Sequence, residues 1–361
     1  MHPFIHDVPA TRVILAPGSL TRVPDEVGRL GAEQVLLVSG GPEAVYADEL
    51  ASMLGGHLAG RFTDVVMHVP VATAAAAVAA TVEAEADLVI ALGGGSSIGA
   101  AKAIAKETHL PILAVPTTYA GSEMTSIWGL TEGDRKITGR DPFVLPKTVV
   151  YDPVLTITLP VDISAASAMN AIAHLVEGLY APDVSPLTML TAEEGVRAIA
   201  SALPRVIEDP ANLDARGDAQ YGAWLAGWTL GTTAMGVHHK ICHTLGGTFD
   251  LPHAPTHSAV IPYATRYNED AAPEAMAAIR RALQNSGISA DSAADGIWEL
   301  GRRIGAPTCL AEIGFTPEGI DEAVEIIVDA RPTNPRPVES DGIRALLQAA
   351  YDGVRPGASA A

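Results

Sequence analysis

Cysteine and positive charge are both scarce in this chain. Only Cys242 and Cys309 occur among 361 residues, which excludes a scaffold of several disulfides and favours a reducing compartment, with the cytoplasm as the expected location. Its 23 Lys and Arg stand against 42 Asp and Glu, and the formal net charge is −19. This charge opposes nonspecific attraction to nucleic acid and to anionic membranes, because both are polyanions. The expected partners are therefore small molecules and other subunits.

The chain also lacks a long apolar run. Its most apolar stretch, residues 71–80, is rich in alanine and soon reaches Glu83 and Glu85, which predicts a helix of a globular domain rather than a membrane span. Residues 1–8 show no apolar core behind a basic start, so we expect no secretory signal. Hydrophobic residues nevertheless make up 48% of the chain, enough for more than one core. Two domains are expected for this length.

Two patterns divide the chain near residue 154. Before it, short β-branched runs alternate with helical stretches, which predicts an α/β domain with a parallel sheet and flanking helices. After it, strand signals largely vanish and long Ala/Leu-rich segments predict an all-α domain. The predicted strands are 12–15, 35–38, 65–69, 88–92, 112–115 and 148–151. The predicted helices include 71–86, 97–106, 165–180, 188–202, 221–231 and 340–351.

A glycine-rich segment follows the fourth predicted strand. Gly93, Gly94 and Gly95 lead into Ser96 and Ser97 at the start of a helix. Consecutive glycines let backbone amides approach an anion, and the first amides of a helix point their positive end at it. The segment therefore predicts a phosphate site of a dinucleotide, although it matches neither GxGxxG nor the lysine-bearing triphosphate loop. The alternative is an ordinary strand-to-helix turn.

Two other strand ends offer hydroxyl groups for the same cofactor. The second strand ends at Ser39, followed by two glycines and no carboxylate. A carboxylate at this place accepts the ribose hydroxyls of NAD and repels the 2′-phosphate of NADP, so its absence predicts use of both NADH and NADPH. Thr117, Thr118 and Ser122 follow the fifth strand and are candidate cofactor contacts. An ordinary turn is again the alternative.

Histidines are concentrated in one part of the chain. Of the eleven, five fall within twenty residues: His238, His239, His243, His253 and His257. His239 and His243 are four residues apart and share one face of a helix, and Asn170 and His174 repeat this spacing. Together with the loop residue His253, these side chains could surround one substrate or one metal ion. An open metal site commonly takes an anionic ligand, which Asn170 does not supply.

Other reactive or charged side chains lie near the histidines in sequence. Cys242 is a candidate ligand or nucleophile, with buried packing as the alternative. The nearest cations could receive a substrate carboxylate, although solvated surface positions are the alternative for each. These cations are Lys240, Arg135, Lys136 and Arg140.

These segments together resemble the iron-containing alcohol dehydrogenase family over nearly the whole chain. The motifs that carry the resemblance are residues 93–96, 116–123, 128–132, 135–140, 169–174, 238–247, 251–253 and 334–337. The resemblance implies a fold like that of dehydroquinate synthase, with a dinucleotide-binding domain at 1–154 and a helical catalytic domain at 155–361. It also implies an active site in the cleft between these domains, and a homodimer.

The resemblance also implies a reaction. In metal-dependent members of the family an Asp and three His hold iron or zinc, and the matching positions here are Asn170, His174, His239 and His253. Asn at that position is similar to what is found in family members that reduce the C=C bond of maleylacetate, a step of aromatic-compound degradation. The implied activity is NAD(P)H-dependent formation of 3-oxoadipate, with no metal expected.

Roles for the site residues follow from that reaction as hypotheses. His243 and His239 are assigned to the enolate and to the proton, whereas His253 and His174 shape the pocket. Lys240 is a candidate partner for a substrate carboxylate. Three other functions stay open. They are a metal-dependent alcohol or polyol dehydrogenase that uses His174, His239 and His253 as ligands, a lyase that recycles tightly held NAD, and a nucleotide-binding protein without enzymatic activity.

Overall fold

The computed structural model describes residues 4, 6, 8, 10–133 and 135–356. The side chains of Arg135 and Lys136, two of the predicted cations, lie outside this description. The chain forms two compact units, one of residues Val8–Leu159 and one that begins at Pro160. The domain boundary after residue 154 and the cleft between the domains remain predictions.

The first unit is built on parallel strands. Within the described residues the strands are β1 (Arg12–Leu15), β2 (Val35–Ser39), β3 (Leu58–Phe62), β4 (Leu88–Gly93), β5 (Ile112–Pro116), β6 (Ile127–Glu132), β7 (Arg135–Arg140) and β8 (Thr148–Tyr151). Six of them form a parallel sheet in the order β1-β8-β5-β4-β2-β3. The helices of this unit are α1 (Val23–Leu30), α2 (Ala44–Leu54), α3 (Val71–Glu83) and α4 (Gly95–Thr108).

Burial explains the apolar runs of the central strands. Every residue of β2, β4, β5 and β8 is buried, as expected for a parallel sheet with helices packed on its faces. β4 pairs without interruption with both β2 and β5, so Ser39 of β2 lies opposite Leu92 of β4 while Gly93 lies opposite Pro116 of β5. The carboxyl ends of these three strands therefore meet at one edge of the sheet.

Two features of the first unit differ from the prediction. The strand predicted at 65–69 is wrong, because the third strand is Leu58–Phe62 and the chain turns at His68 and Val69 with φ of 63° and 47°. Strand geometry needs negative φ, so the apolar pattern of 65–69 reflects burial of Val69 in the core and not pairing. In addition, β6 and β7 form an antiparallel hairpin that the pattern did not predict.

The second unit is helical. Its helices are α5 (Val161–Leu179), α6 (Pro186–Glu208), α7 (Leu213–Thr232), α8 (Val237–Phe249), α9 (His253–Asn268), α10 (Pro273–Asn285), α11 (Ala293–Arg303), α12 (Ile320–Asp329) and α13 (Ser340–Asp352). All residues of α5 from Ser164 to Leu179 are buried, so this helix is enclosed by its neighbours on every side. The fold class predicted from the sequence, an α/β unit followed by an all-α unit, is confirmed.

The length and apolarity of the helices bear on whether any of them could span a membrane. Over the part of the chain that the structure describes, none combines the length and apolarity needed to cross a bilayer.

Candidate active site

The turn between β4 and α4 requires glycine at two positions. Gly93 has a φ of 142°, and a Cβ there would lie 2.5 Å from Oγ of Ser97. A Cβ on Gly94 would lie 2.9 Å from Cγ2 of Thr118. By contrast, a Cβ on Gly95 would meet nothing within 4 Å. The first residues of α4 thus present backbone N–H groups, which have no partner inside the helix, to an open space that suits a phosphate.

The other predicted cofactor residues surround this turn. The backbone N–H of Thr117 donates to the carbonyl of Gly93 at 3.2 Å, and Thr118 packs against Gly94. Ser39 is buried at the end of β2, beside β4. Oγ of Ser122 is buried and has no hydrogen-bond partner among the described residues. Thr117 and Thr118 therefore lie beside the glycine turn, and Ser39 ends the neighbouring strand at the same edge of the sheet.

A carboxylate that the sequence analysis did not consider also lies at this edge of the sheet. Oε1 of Glu43 accepts a hydrogen bond from Oγ1 of Thr117 at 3.0 Å. Its Oε2 would lie 3.1 Å from a Cβ on Gly40, and its Cδ would lie 3.4 Å from a Cβ on Gly93. Sequence reasoning missed Glu43 because it considered only the residues directly after β2.

A buried lysine holds the loop that contains Ser122. Lys102 of α4 is 2% exposed, and its Nζ donates to the carbonyl oxygens of Ser122, Thr125 and Ile127 at 2.7, 2.8 and 2.7 Å. Burial lowers the pKa of Lys102 to about 7, although the charge of Glu123 acts in the opposite direction. The sequence placed Lys102 inside a helix but gave no sign of this role.

Histidines from three helices of the second unit form one cluster. Its members come from α5, α8 and α9, and neighbouring ring centroids lie between 4.5 and 6.4 Å apart. We call this group the histidine cluster: His174, His238, His239, His243, His253 and His257. The sequence predicted that histidines would gather, and the structure brings these six side chains together, whereas their roles remain predictions.

The histidine cluster runs from the protein surface to the interior. His243 is exposed on α8 and His253 is partly exposed at the start of α9. At the inner end, Nε2 of His238 and Nδ1 of His257 share a hydrogen bond of 2.9 Å. Burial lowers the pKa of His174, His238 and His257 well below the usual value, so these three rings are neutral near pH 7.

Several buried polar atoms of this region have no partner among the described residues. They include Oδ1 of Asn170, Nδ1 of His174 and Nε2 of His239. Buried polar atoms are nearly always hydrogen-bonded, so a group of unpaired ones indicates a place where a ligand or water binds. Three residues predicted from the sequence therefore belong to one candidate binding site.

The side chains of this region include potential metal ligands. In the described part of the chain, one group of three has all its potential ligand atoms within 4.8 Å of each other, and it consists of His238, His239 and His257. It shares only His239 with the predicted set. His238 and His257 already hydrogen-bond each other, and Asn170 supplies no negative charge. None of these four side chains is an anionic donor, whereas open catalytic sites for divalent cations commonly include one.

A second carboxylate that the sequence did not indicate adjoins the histidine cluster. Glu177 follows His174 by three residues on α5, is fully buried, and lies 2.5 Å from Nδ1 of His239. The sequence shows that Glu177 shares a helix face with Asn170 and His174. It does not show that Glu177 contacts α8.

The structure also places two other candidates from the sequence, Cys242 and Lys240. Cys242 is buried in the core of the second unit with its Sγ 3.6 Å from Nε2 of His238, and burial raises the pKa of its thiol. A protonated thiol in this environment supports the packing interpretation. Lys240 is partly exposed on α8.

Models of one family match both units. The model described as iron-containing alcohol dehydrogenase matches residues 10–153, and the model of the C-terminal part of the Fe-containing alcohol dehydrogenase family matches residues 164–351. The chain belongs to the iron-containing alcohol dehydrogenase family. The family resemblance and the oxidoreductase class expected from the sequence are thereby confirmed.

Relatives within this family match the chain from end to end. A maleylacetate reductase from Sphingobium indicum is 50% identical over 353 residues, which cover 98% of this chain and 99% of that protein. One from Pseudomonas knackmussii is 48% identical over 355 residues, with coverage of 98% and 99%. The crystal structure of maleylacetate reductase from a Rhizobium species aligns with a TM-score of 0.94 at 44% identity, covering 99% of this chain and 100% of that one.

Proposed function

We propose that this protein reduces the C=C bond of maleylacetate to give 3-oxoadipate, with NADH or NADPH as the hydride donor. The observation that carries the proposal is Asn170, which occupies the position of the family's metal-binding Asp and whose buried Oδ1 has no hydrogen-bond partner among the described residues. An unactivated ketone or alcohol needs a strong electrophile to stabilise the alkoxide. An alkene conjugated to a ketone and a carboxylate does not, because it already accepts hydride readily. The full-length relatives named as maleylacetate reductases support the same substrate.

The reaction can be written with its electrons balanced. Hydride from the nicotinamide adds to the alkene carbon next to the carboxylate, and the electron pair of the C=C bond moves to the ketone oxygen to form an enolate. A histidine N–H stabilises this oxygen. A proton then adds to the carbon between the ketone and the new methylene group, which gives 3-oxoadipate and oxidised nicotinamide.

Roles are assigned to the histidine cluster by exposure and charge. His243 is exposed and able to exchange protons with water, so it is a candidate donor to the enolate together with His239. His174 is neutral and buried, and it shapes the pocket with His253 and Asn170. Lys240 is proposed to attract a substrate carboxylate.

The cofactor is proposed to bind at the glycine turn of the first unit. The amides of Gly95, Ser96 and Ser97 would receive the pyrophosphate, because Gly93 and Gly94 allow the backbone to approach it. Ser39, Thr117, Thr118 and Ser122 supply hydroxyl groups around it. We propose that the two units are used together, with hydride delivered to the histidine cluster, and that turnover needs no metal.

The setting of the enzyme follows from the same proposal. A reductase of this kind serves the degradation of aromatic compounds in the cytoplasm, in agreement with the low cysteine content. A homodimer is proposed from the family. Neither nucleic acid nor a membrane surface is a proposed partner, since the protein carries a large negative charge.

The experiment that tests the function follows nicotinamide absorbance with maleylacetate, using NADH and NADPH separately, before and after prolonged chelation. We expect one cofactor to be oxidised for each substrate reduced, with the same rate after chelation. Activity that disappears with the chelator and returns with iron or zinc would favour a metal-dependent dehydrogenase. Product formation without net cofactor oxidation would indicate a lyase. If the protein turns over no oxo-acid, the remaining interpretation is a nucleotide-binding protein without enzymatic activity.

A further inference from the structure

A buried carboxylate in contact with the histidine cluster carries an inference about the site. Glu177 lies where α5 approaches the first turn of α8. Its Oε1 accepts from the backbone N–H of His238 at 2.9 Å, and its Oε2 accepts from that of Gly236 at 3.1 Å. Oε2 also lies 3.3 Å from the backbone N of His239 and 2.5 Å from its ring Nδ1.

These contacts decide which atom of His239 carries the ring proton. Each backbone group that faces Glu177 here is an N–H donor, and α8 directs the positive end of its dipole at the side chain. Both oxygens of Glu177 therefore act as acceptors, which is the behaviour of a carboxylate. A ring nitrogen that hydrogen-bonds to such an oxygen has to donate, so Nδ1 of His239 bears the hydrogen.

The opposite ring nitrogen then faces the site. Nε2 of His239 is buried and has no hydrogen-bond partner among the described residues. The ring of His239 adjoins those of His174 and His257, at centroid distances of 5.0 and 4.9 Å. With Nδ1 donating to Glu177, Nε2 presents a lone pair to a ligand when the ring is neutral and an N–H when it is protonated.

We propose that Glu177 is a positioning residue that holds His239 as its Nδ1–H tautomer and turns Nε2 toward the substrate. The proposal rests on the proposed function, since it gives a use to His239 in the proton step. A carboxylate behind an imidazole also fixes the orientation of the ring, as in other carboxylate–histidine pairs.

The residues around Glu177 pack closely and restrict its position. A Cβ on Gly236 would lie 2.9 Å from Oε1 of Glu177 and 3.1 Å from the carbonyl oxygen of Thr333, so only glycine fits between them. The next residue, Asn334, is tied to Asn268 of α9 by side-chain hydrogen bonds of 3.0 and 2.6 Å. The motif at 334–337, noted in the sequence without a function, therefore holds the chain that packs behind Gly236.

The first test measures the tautomer of His239 in the wild-type protein. Long-range ¹H–¹⁵N correlations of histidine-labelled protein distinguish protonated from unprotonated ring nitrogens, and the spectrum of His239→Gln identifies the signal. We expect a protonated Nδ1. A neutral ring with its hydrogen on Nε2 overturns the proposal, and this result needs no variant of Glu177 to fold.

The second test replaces Glu177. In Glu177→Gln the oxygen can still accept from the backbone of α8 while the amide donates to Nδ1, so we expect the Nε2–H tautomer. With maleylacetate and NADH we expect kcat to fall about 100-fold while KM changes by less than about threefold. Glu177→Asp keeps the negative charge and should recover part of kcat together with the Nδ1–H signal.

A merely structural role for Glu177 as a cap of α8 gives different results. A capping role predicts that the variants are less stable while the tautomer of His239 is unchanged. It also predicts similar kcat values for the Gln and Asp variants. An unchanged tautomer or similar kcat values would each contradict the proposal. The matched control is Asp295→Asn, which neutralises a buried carboxylate of the same unit that pairs with Arg355. It should leave kcat and the His239 signal unchanged.

Failure of this inference can be told apart from failure of the proposed function. If the wild-type protein does not oxidise NADH with maleylacetate, the function is wrong, but the tautomer measurement still decides the role of Glu177. If the wild-type protein reduces maleylacetate and Glu177→Gln keeps its kcat, only the positioning role is refuted.

Discussion

At the scale of single residues, the glycine turn separates two glycines needed for the fold from one that is proposed to contact the cofactor. Gly93 and Gly94 have neighbours that would clash with a side chain, whereas Gly95 faces open space. A methyl group on Gly95 would therefore leave the fold intact and occupy the place proposed for the pyrophosphate. Binding and folding can be tested independently at this position.

We predict that Gly95→Ala weakens NADH binding about tenfold, a loss of about 1.4 kcal/mol, without lowering the melting temperature. Alanine restricts the unfolded chain and suits a helix, so stability should stay equal or rise slightly. Fluorescence titration with NADH and thermal unfolding measure the two effects. The matched control is Gly28→Ala, which adds a methyl group in open space on α1. Equal affinity in Gly95→Ala and wild type would show that the pyrophosphate binds elsewhere.

The residues found only in the structure share one property. Glu43 and Glu177 contact partners 74 and 62 residues away along the chain. Spacing along one helix or loop does not encode such contacts, because they depend on how distant elements pack. The glycine turn and the histidine pairs were predictable since each is a local pattern with its own chemistry. The sequence therefore indicated a dinucleotide loop and a histidine site, but neither of the carboxylates that adjoin them.

At the scale of secondary structure, α4 joins the glycine turn to the loop that follows β5. Lys102 makes this connection through carbonyl groups of residues 122, 125 and 127. Its folded-state pKa of about 7 lies below the 10.5 of an ordinary lysine, chiefly because burial disfavours the charge. Between these pH values the unfolded chain binds a proton at Lys102 that the folded protein does not. Raising the pH through this window therefore favours the folded state, and the burial penalty is fully present only below about pH 7.

We predict that Lys102→Met removes this dependence. The stability of the wild-type protein minus that of the variant should increase with pH from 7 toward 10, by up to about 1.4 kcal/mol per pH unit. Urea unfolding at several pH values measures the difference, in which the titration of unrelated groups cancels. Lys106→Met is the control, because Lys106 is partly exposed one turn later on α4. A difference that stays flat across the window would mean that Lys102 keeps its charge when folded.

The third strand shows how far a hydrophobic pattern alone can identify a strand. Residues 58–62 include a glycine and an arginine and read as a weak strand, whereas 65–69 are rich in valine. The weaker segment pairs with β2, and Gly60 leaves little room for a side chain there, because a Cβ would lie 3.1 Å from Cβ of Ala84. Edge strands such as β3 are specified by pairing and packing with distant elements, so their composition alone identifies them poorly.

At the scale of the whole molecule, a net charge of −19 acts on a substrate and cofactors that are all anions. The repulsion is long-ranged, with a screening length of about 30 Å at 0.01 M salt and about 8 Å at 0.15 M. Local cations such as Lys240 act only at short range. Dilute salt should therefore slow encounter and weaken binding more than it affects the chemical step.

We predict that kcat/KM for maleylacetate rises with sodium chloride between 0.01 and 0.15 M, by about threefold, while kcat stays constant. The rise in kcat/KM for the cofactor should be larger with NADPH than with NADH, because the 2′-phosphate adds charge. Steady-state kinetics with each cofactor at constant pH measure both effects, and potassium chloride at equal ionic strength is the control for a specific ion. If kcat/KM instead falls with salt, the cations around the site outweigh the net charge, and substrate capture is governed by residues such as Lys240.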